Sequence, residues 1–129
     1  QILELMDDLK RTNRMGLILI THDLGIVAEK SDRTAIMYAG KIVEYAQTAE
    51  IFRNPLHPYT EGLLHSLPQR TPPGQALKTI PGQVPYMLDG TPGCGFCDRC
   101  PQKNWTCSTD KPEMKEVGTD HFVRCWKFA

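Results

Sequence analysis

Apolar and polar positions follow a spacing that changes several times along the chain, and each change marks an element. Ile2, Leu3, Leu5, Met6 and Leu9 share one face at helical spacing, while Asp7, Asp8, Lys10 and Arg11 lie largely outside it, which predicts an amphipathic helix. Lys10, Arg11 and Arg14 sit where a helix C-terminus favours cations, and Gly16 is placed for a left-handed stop, so the helix is expected to end near Met15. Leu17, Ile18, Leu19 and Ile20 form a continuous apolar run, expected of a strand buried on both faces in a parallel sheet. Thr21, His22 and Asp23 stand at its carboxyl end, and Asp23 or Thr21 can cap a short helix over Leu24–Lys30. Residues 33–38 and 41–45 read as two strands joined tightly at Ala39 and Gly40. Helix, buried strand, helix and hairpin in this order predict the tail end of an α/β domain.

Beyond the hairpin the texture changes. Thr48 is expected to cap a short helix through Phe52 that Asn54 and Pro55 end. A second helix is expected over 58–66, with Leu63, Leu64 and Leu67 supplying its apolar side. Residues 71–93 hold five prolines, four glycines and only two charged residues, Lys78 and Asp89, the composition of an irregular connector that proline stiffens. The chain thus divides into 1–46, 47–70, 71–93 and a last unit of 94–129.

Length and charge narrow the classes. The 129 residues suit about one ordinary domain, and 15 basic against 15 acidic residues provide no basic stripe, which argues against nucleic acid as a partner. At 40% apolar and 23% charged, the composition is that of a soluble globular protein. No run approaches the roughly 18 apolar residues of a membrane span, and no signal peptide is visible, so a cytoplasmic location is the expectation. Opening on Gln1 rather than Met, with apolar residues from Ile2, reads as a piece of a longer protein.

Two features carry candidate chemistry. His22 lies at the strand edge where open α/β sheets bind ligands, and a neutral imidazole there can donate to a phosphate oxygen or orient a water. The plainer alternative is that Thr21, His22 and Asp23 only cap the next helix. All five cysteines fall between Cys94 and Cys125: Cys94, Cys97 and Cys100 at intervals of three, then Pro101, then Cys107 and Cys125. In a reducing compartment, clustered thiols are more often metal ligands or redox groups than disulfides, and an odd number cannot all pair internally. Four thiolates suit tetrahedral zinc and an iron-sulfur cluster equally. The Cys94, Cys97, Cys100 run with its proline partly matches a bacterial ferredoxin motif, in which all three would ligate. Reduced thiols packed without metal are the third option. Trp105, Phe122, Trp126 and Phe128 are expected to shield the centre, and a metal staple would offset the small core of such a unit.

Residues 17–23, LILITHD, and the stretch from Leu24 through Phe52 resemble the C-terminal part of ABC-transporter ATP-binding subunits. Asn54-Pro55-Leu56-His57-Pro58-Tyr59-Thr60, with Leu63-Leu64 and Ser66-Leu67-Pro68, resembles the C-terminal extension of oligopeptide and dipeptide importers, and Pro81-Gly82-Gln83-Val84-Pro85 resembles a further stretch of that family. The resemblance implies an α/β fold: the end of a P-loop (RecA-like) nucleotide-binding domain in 1–46, a helical extension in 47–70, and a small irregular α+β cysteine-rich metal-binding extension after the connector. It implies that His22 is the switch histidine contacting the γ-phosphate of ATP, with Mg present, in an intact subunit that powers peptide import by ATP hydrolysis. His57 and Tyr59 are expected to serve structure, Pro58 fixing the backbone at a helix start.

The departures from the family pattern matter too. No GxxxxGK[ST] occurs, and neither do the Walker B and signature motifs, so the chain alone is expected neither to bind ATP tightly nor to hydrolyse it. The resemblance selects Cys94, Cys100, Cys107 and Cys125 as ligands of a [4Fe-4S] cluster, zinc being the alternative, and leaves Cys97 as a spare or alternative ligand. The partners implied are a second ATP-binding subunit, membrane permease subunits and, indirectly, a peptide-binding protein, with the assembly peripheral on the inner face of the cytoplasmic membrane. A metal-dependent regulatory or interaction module is the alternative function.

Overall fold

The computed structural model describes residues 1–68, 72, 74–85 and 92–129. It resolves into two compact units, Gln1–Asp32 and Arg33–Ala129. Of the expected connector, residues 71, 73 and 86–91, Asp89 among them, lie outside the described residues.

In the first unit, α1 (Ile2–Asn13) forms as the spacing predicts. Its left-handed stop is Arg14, at φ 50°, rather than Gly16, and the Arg14 N–H donates to Lys10 O. The apolar stripe runs out after Leu9, so no buried contact favours a further turn. Residues 15–20 carry no regular secondary structure, with Ile18 91% and Ile20 94% exposed. The expected buried parallel strand is therefore absent. Such a strand needs neighbours on both edges to satisfy its N–H and C=O groups, and among the described residues every paired strand is antiparallel. The α2 helix (Leu24–Lys30) is capped by Asp23, whose Oδ1 accepts from Gly25 N (2.8 Å) and Ile26 N (3.2 Å). Thr21 supports the cap, its Oγ1 accepting from Asp23 N at 3.0 Å. Two lysines tie the unit together, Lys30 Nζ to Asp7 Oδ2 at 3.0 Å and Lys10 Nζ to Asp32 Oδ2 at 2.6 Å.

The second unit is built on a hairpin of β1 (Arg33–Tyr38) and β2 (Lys41–Gln47). Its turn places Ala39 at φ 47° and Gly40 at φ 73°, two left-handed residues in succession, the backbone that matches the twist of a tight hairpin. Along β1 every second residue, Thr34, Ile36 and Tyr38, is buried. The hairpin is half of a four-stranded antiparallel sheet of order β1-β2-β4-β3, completed by β3 (Lys115–Gly118) and β4 (His121–Val123). Glu44 of β2 pairs with Val123 of β4, so the C-terminal residues return to the hairpin that begins the unit.

Three short helices belong to this unit, α3 (Thr48–Arg53), which packs on β1 and β2, α4 (Pro58–His65) and α5 (Trp105–Thr109). Thr48 does not cap α3. Gln47 holds that position, and the buried Thr48 hydroxyl instead bonds the Thr34 hydroxyl at 2.8 Å, because a buried hydroxyl facing another is satisfied there. The core joins Ile36, Tyr38, Val43, Ala46 and Ile51 to Phe96. Phe96 meets Tyr38 edge-on at 5.1 Å and Tyr59 at 5.4 Å, an aromatic cluster that ties the sheet and α4 to the cysteine segment. Arg99 fastens the connector, donating from Nε to Pro81 O (2.8 Å), from Nη2 to Ile80 O (3.0 Å) and from Nη1 to the Tyr38 hydroxyl (3.3 Å). Among the described residues no helix is long and apolar enough to cross a membrane.

Candidate functional site

The spacing of three between Cys94, Cys97 and Cys100 becomes two successive tight turns. Cys97 N donates to Cys94 O at 2.9 Å and Cys100 N to Cys97 O at 3.2 Å, with Cys97–Arg99 a single 3-10 turn. At three residues per turn, side chains three apart eclipse, so the three thiols share one side of the segment. Cys107 lies in α5, whose start is fixed by Asn104 Oδ1 accepting from Cys107 N at 3.0 Å. Its carbonyl accepts from Cys94 N at 2.7 Å, which binds the two cysteine-bearing segments together. That approach requires Gly93: at φ 77°, a Cβ there would stand 2.4 Å from Cys107 O. Cys125 lies two residues beyond the end of β4 and caps the 3-10 turn Trp126–Phe128.

All five cysteines line one cavity of about 240 Å³, and Phe96, His57 and Trp126 also line it. Cys94 interacts electrostatically with Cys107, Cys125 and Cys100, while Cys97 interacts with Cys107 and Cys100. Burial pushes the Cys94 thiol up to about 11, and it also raises Cys97, Cys100 and Cys125, the neighbouring thiols adding to the effect. The shifted thiols therefore keep their protons at neutral pH, and metal binding there would have to expel them. Among the described residues, no three His, Cys, Asp or Glu side chains converge tightly enough to hold a single metal ion.

The expected aromatic shield is only partly realised. Trp126 lines the cavity and donates from Nε1 to Asp110 O at 2.8 Å, but Trp105 is 82% exposed and Phe122 faces Tyr45 at 6.1 Å between ring centres. Residue type alone does not tell which aromatic points inward. Phe96, buried in the core, supplies the wall instead.

Behind the cavity lies a carboxylate that the sequence reading passed over. Glu44 is fully buried on β2, where Oε1 accepts from Leu56 N (2.8 Å) and Oε2 from His57 N (2.9 Å), and His121 Nε2 donates to Oε1 at 2.8 Å. One side chain thereby joins β2, β4 and the segment entering α4. An acidic residue between Val43 and Tyr45 in an apolar strand was the available signal. His57 caps α4, its Nδ1 accepting from Tyr59 N at 3.1 Å with Pro58 in the first turn, which agrees with a structural role. Burial depresses His57 to about 4, against an upward pull from Glu44, so the imidazole stays neutral and can accept.

His22 belongs to the first unit, exposed between Thr21 and Asp23. Those two neighbours perform the capping, and the His22 ring is not needed for it.

Comparison with known proteins supplies the family. Residues 43–107 match the oligopeptide/dipeptide transporter, C-terminal region. The chain is 44% identical over 126 residues to the dipeptide transport ATP-binding protein DppD of Bacillus subtilis, covering 98% of this chain and 38% of the relative. It is 43% identical over 128 residues to the oligopeptide transport ATP-binding protein AppD of the same organism, covering 99% and 39%. A putative peptide import ATP-binding protein of Brucella ovis is 43% identical over 131 residues, covering 97% and 39%. The chain spans less than two fifths of the length of each of these relatives. A matched region covering half the chain, with relatives of this identity along nearly all of it, means that the chain belongs to the oligopeptide/dipeptide transporter C-terminal region family.

Proposed function

We propose that this chain is part of an ATP-binding subunit that powers import of oligopeptides or dipeptides across the cytoplasmic membrane by ATP hydrolysis. The observation that carries the reading is the family match over residues 43–107, beside relatives named as peptide transport ATP-binding proteins. On this reading the exposed apolar run 17–20 packs against the rest of a P-loop domain, whose phosphate loop, Walker B and signature motifs come from elsewhere in the subunit. His22 contacts the γ-phosphate of MgATP. The local geometry supports that role, because Thr21 and Asp23 fix the loop while leaving the imidazole open to a ligand. The 129 residues alone neither bind ATP tightly nor hydrolyse it. The subunit pairs with a second ATP-binding subunit and docks on membrane permease subunits at the inner face, serving a peptide-binding protein indirectly. In the intact subunit, His22→Ala is expected to lower ATP-driven peptide uptake roughly a hundredfold while ATP binding persists, the loss of one positioned group in the reacting complex. Unchanged uptake would overturn the assignment.

The thiol cavity supports a second element of the reading: Cys94, Cys100, Cys107 and Cys125 hold a [4Fe-4S] cluster. The thiols of all four line one cavity of about 240 Å³, a donor set that serves an iron-sulfur cluster, with zinc the alternative. When bound, the cluster supplies a redox-sensitive staple. The chain's own residues fix the thiols through the Cys94–Cys107 backbone bond and screen them from water with Phe96 and Trp126. This makes the cysteine unit a metal-dependent regulatory or interaction module fused to the ATPase. Protein purified without oxygen is expected to be brown with broad visible absorbance, and Cys107→Ser to abolish iron retention. Colourless protein with stoichiometric zinc would replace the cluster by zinc.

A further inference from the structure

We propose that a second cavity, of about 490 Å³ between α4 and the connector, binds a short peptide with both ends free. Its volume is that of a small-ligand site, and its walls come from three segments of the second unit. One face of α4 supplies Pro58, Glu61, Gly62 and His65, the connector supplies residues 78–82, and Phe96 and residues 98–102 close the third side. Two devices fix the connector in place. Arg99 holds its backbone by donating to Ile80 O and Pro81 O, and the Ile80 side chain lies over Gly62, where a Cβ would stand 2.9 Å from it. Glycine is a costly residue inside a helix, and the approach of Ile80 is what it permits here. A wall fixed in advance spares a ligand the cost of ordering it. The site calls on neither nucleotide nor metal, so its failure leaves the ATPase and cluster readings standing.

The chemistry of the lining selects the ligand. Pro58 and Phe96 are buried and Ile80 is half-buried, which gives the cavity an apolar lining. Glu61 is half-buried, while Asp98 and Lys78 are exposed. Among the described residues, neither carboxylate nor the Lys78 ammonium makes a hydrogen bond or ion pair. Arg99 is different: its donors are taken by two carbonyls and the Tyr38 hydroxyl, although its charge remains. Glu61 and Asp98 are thus balanced by Lys78 and Arg99, and the cavity carries free groups of both signs. A simple anion would meet two carboxylates, and a simple cation would leave Lys78 unanswered. A ligand with an ammonium, a carboxylate and an apolar body answers all three features. A peptide of two or three residues with free ends is such a ligand, of a size suited to the volume, and the Thr79 and Gln102 side chains on the lining offer partners for its amides.

The test titrates the chain with the dipeptide alanyl-phenylalanine and follows backbone amide shifts by nuclear magnetic resonance. Saturable shifts are expected at Gly62, Ile80 and Asp98, with the amides of β3 unmoved. The N-acetylated dipeptide and the dipeptide amide each lack one charge, and each is expected to bind about tenfold more weakly. Lys78→Gln is expected to bind the dipeptide and its amide alike, and Glu61→Gln to weaken the dipeptide several-fold. Neither side chain holds a bond among the described residues, so both variants are expected to keep native circular dichroism. No saturable shift below ~10 mM dipeptide, a level far above millimolar affinity, overturns the proposal. So do shifts confined to other parts of the chain, equal binding of the dipeptide and both derivatives, or binding of free phenylalanine as tight as that of the dipeptide.

Discussion

Gln1–Asp32 buries none of its residues, although its apolar positions keep clear helical and strand spacing, whereas Arg33–Ala129 closes Ile51, Leu64 and Val123 to 1% exposure or less. The two units differ in where the partners of each pattern come from. An antiparallel hairpin needs only a tight turn, and Ala39 and Gly40 provide it, while β3 and β4 widen the sheet from the same unit. A doubly buried parallel strand needs neighbours delivered by crossovers, and residues 17–20 have none among the described residues. Hydrophobic spacing therefore says which face is suited to burial, and a partner elsewhere decides whether burial follows.

The largest expected effect comes from removing what closes the second unit. Glu44→Ala leaves Leu56 N, His57 N and His121 Nε2 without their carboxylate in a buried place, a loss of about 3–5 kcal/mol. Urea unfolding followed by tryptophan fluorescence reads it, and a loss below about 1 kcal/mol would mean that burial of apolar side chains alone distinguishes the units. The next effect is a pH dependence set by His57. The unfolded chain protonates this imidazole near 6.5 and the folded one only near 4, so between these values the native state binds fewer protons. Stability from this group is complete above 6.5 and falls as the pH drops toward 4, by about 3 kcal/mol over the window. His57→Gln is expected to flatten that part of the stability–pH curve, and an unchanged slope would assign it to other groups.

What was legible in the sequence follows the same division between local and distant causes. The hairpin turn, the Asp23 cap and the His57-Pro58 start of α4 depend on residues a few positions apart, and each was readable. The gathering of thiols was foreshadowed by the spacing of three, which tight turns convert into one shared side. Glu44 was not readable as a hub, because its partner His121 is 77 residues away and an isolated carboxylate in a strand ordinarily signals an exposed face. The Thr48 hydroxyl was misassigned for a related reason. The sequence places it at a helix start, where capping is the usual use, but Thr34 on the neighbouring strand competes for it and wins. Trp105 and Phe122 show the same limit for packing: aromatic character marks them as suited to burial, while the fold turns one to solvent and the other to Tyr45.

The smallest expected effect sharpens the comparison from the other side. Asp23→Ala removes the acceptor of Gly25 N and Ile26 N, a capping loss of about 1 kcal/mol. The seven-residue α2 has no buried side chain to offset that loss, so the cap is a large share of what holds it. Amide hydrogen exchange at Gly25, Ile26 and Val27 is expected to quicken about fivefold, the rate equivalent of that energy when exchange follows local opening. Amides of β1 and β2, whose bonds are made within the sheet, should keep their protection. Quickening in β1 and β2 of the same size would mean that the first unit's local order is felt throughout the second, and the contrast between a locally capped unit and a core-closed one would fail.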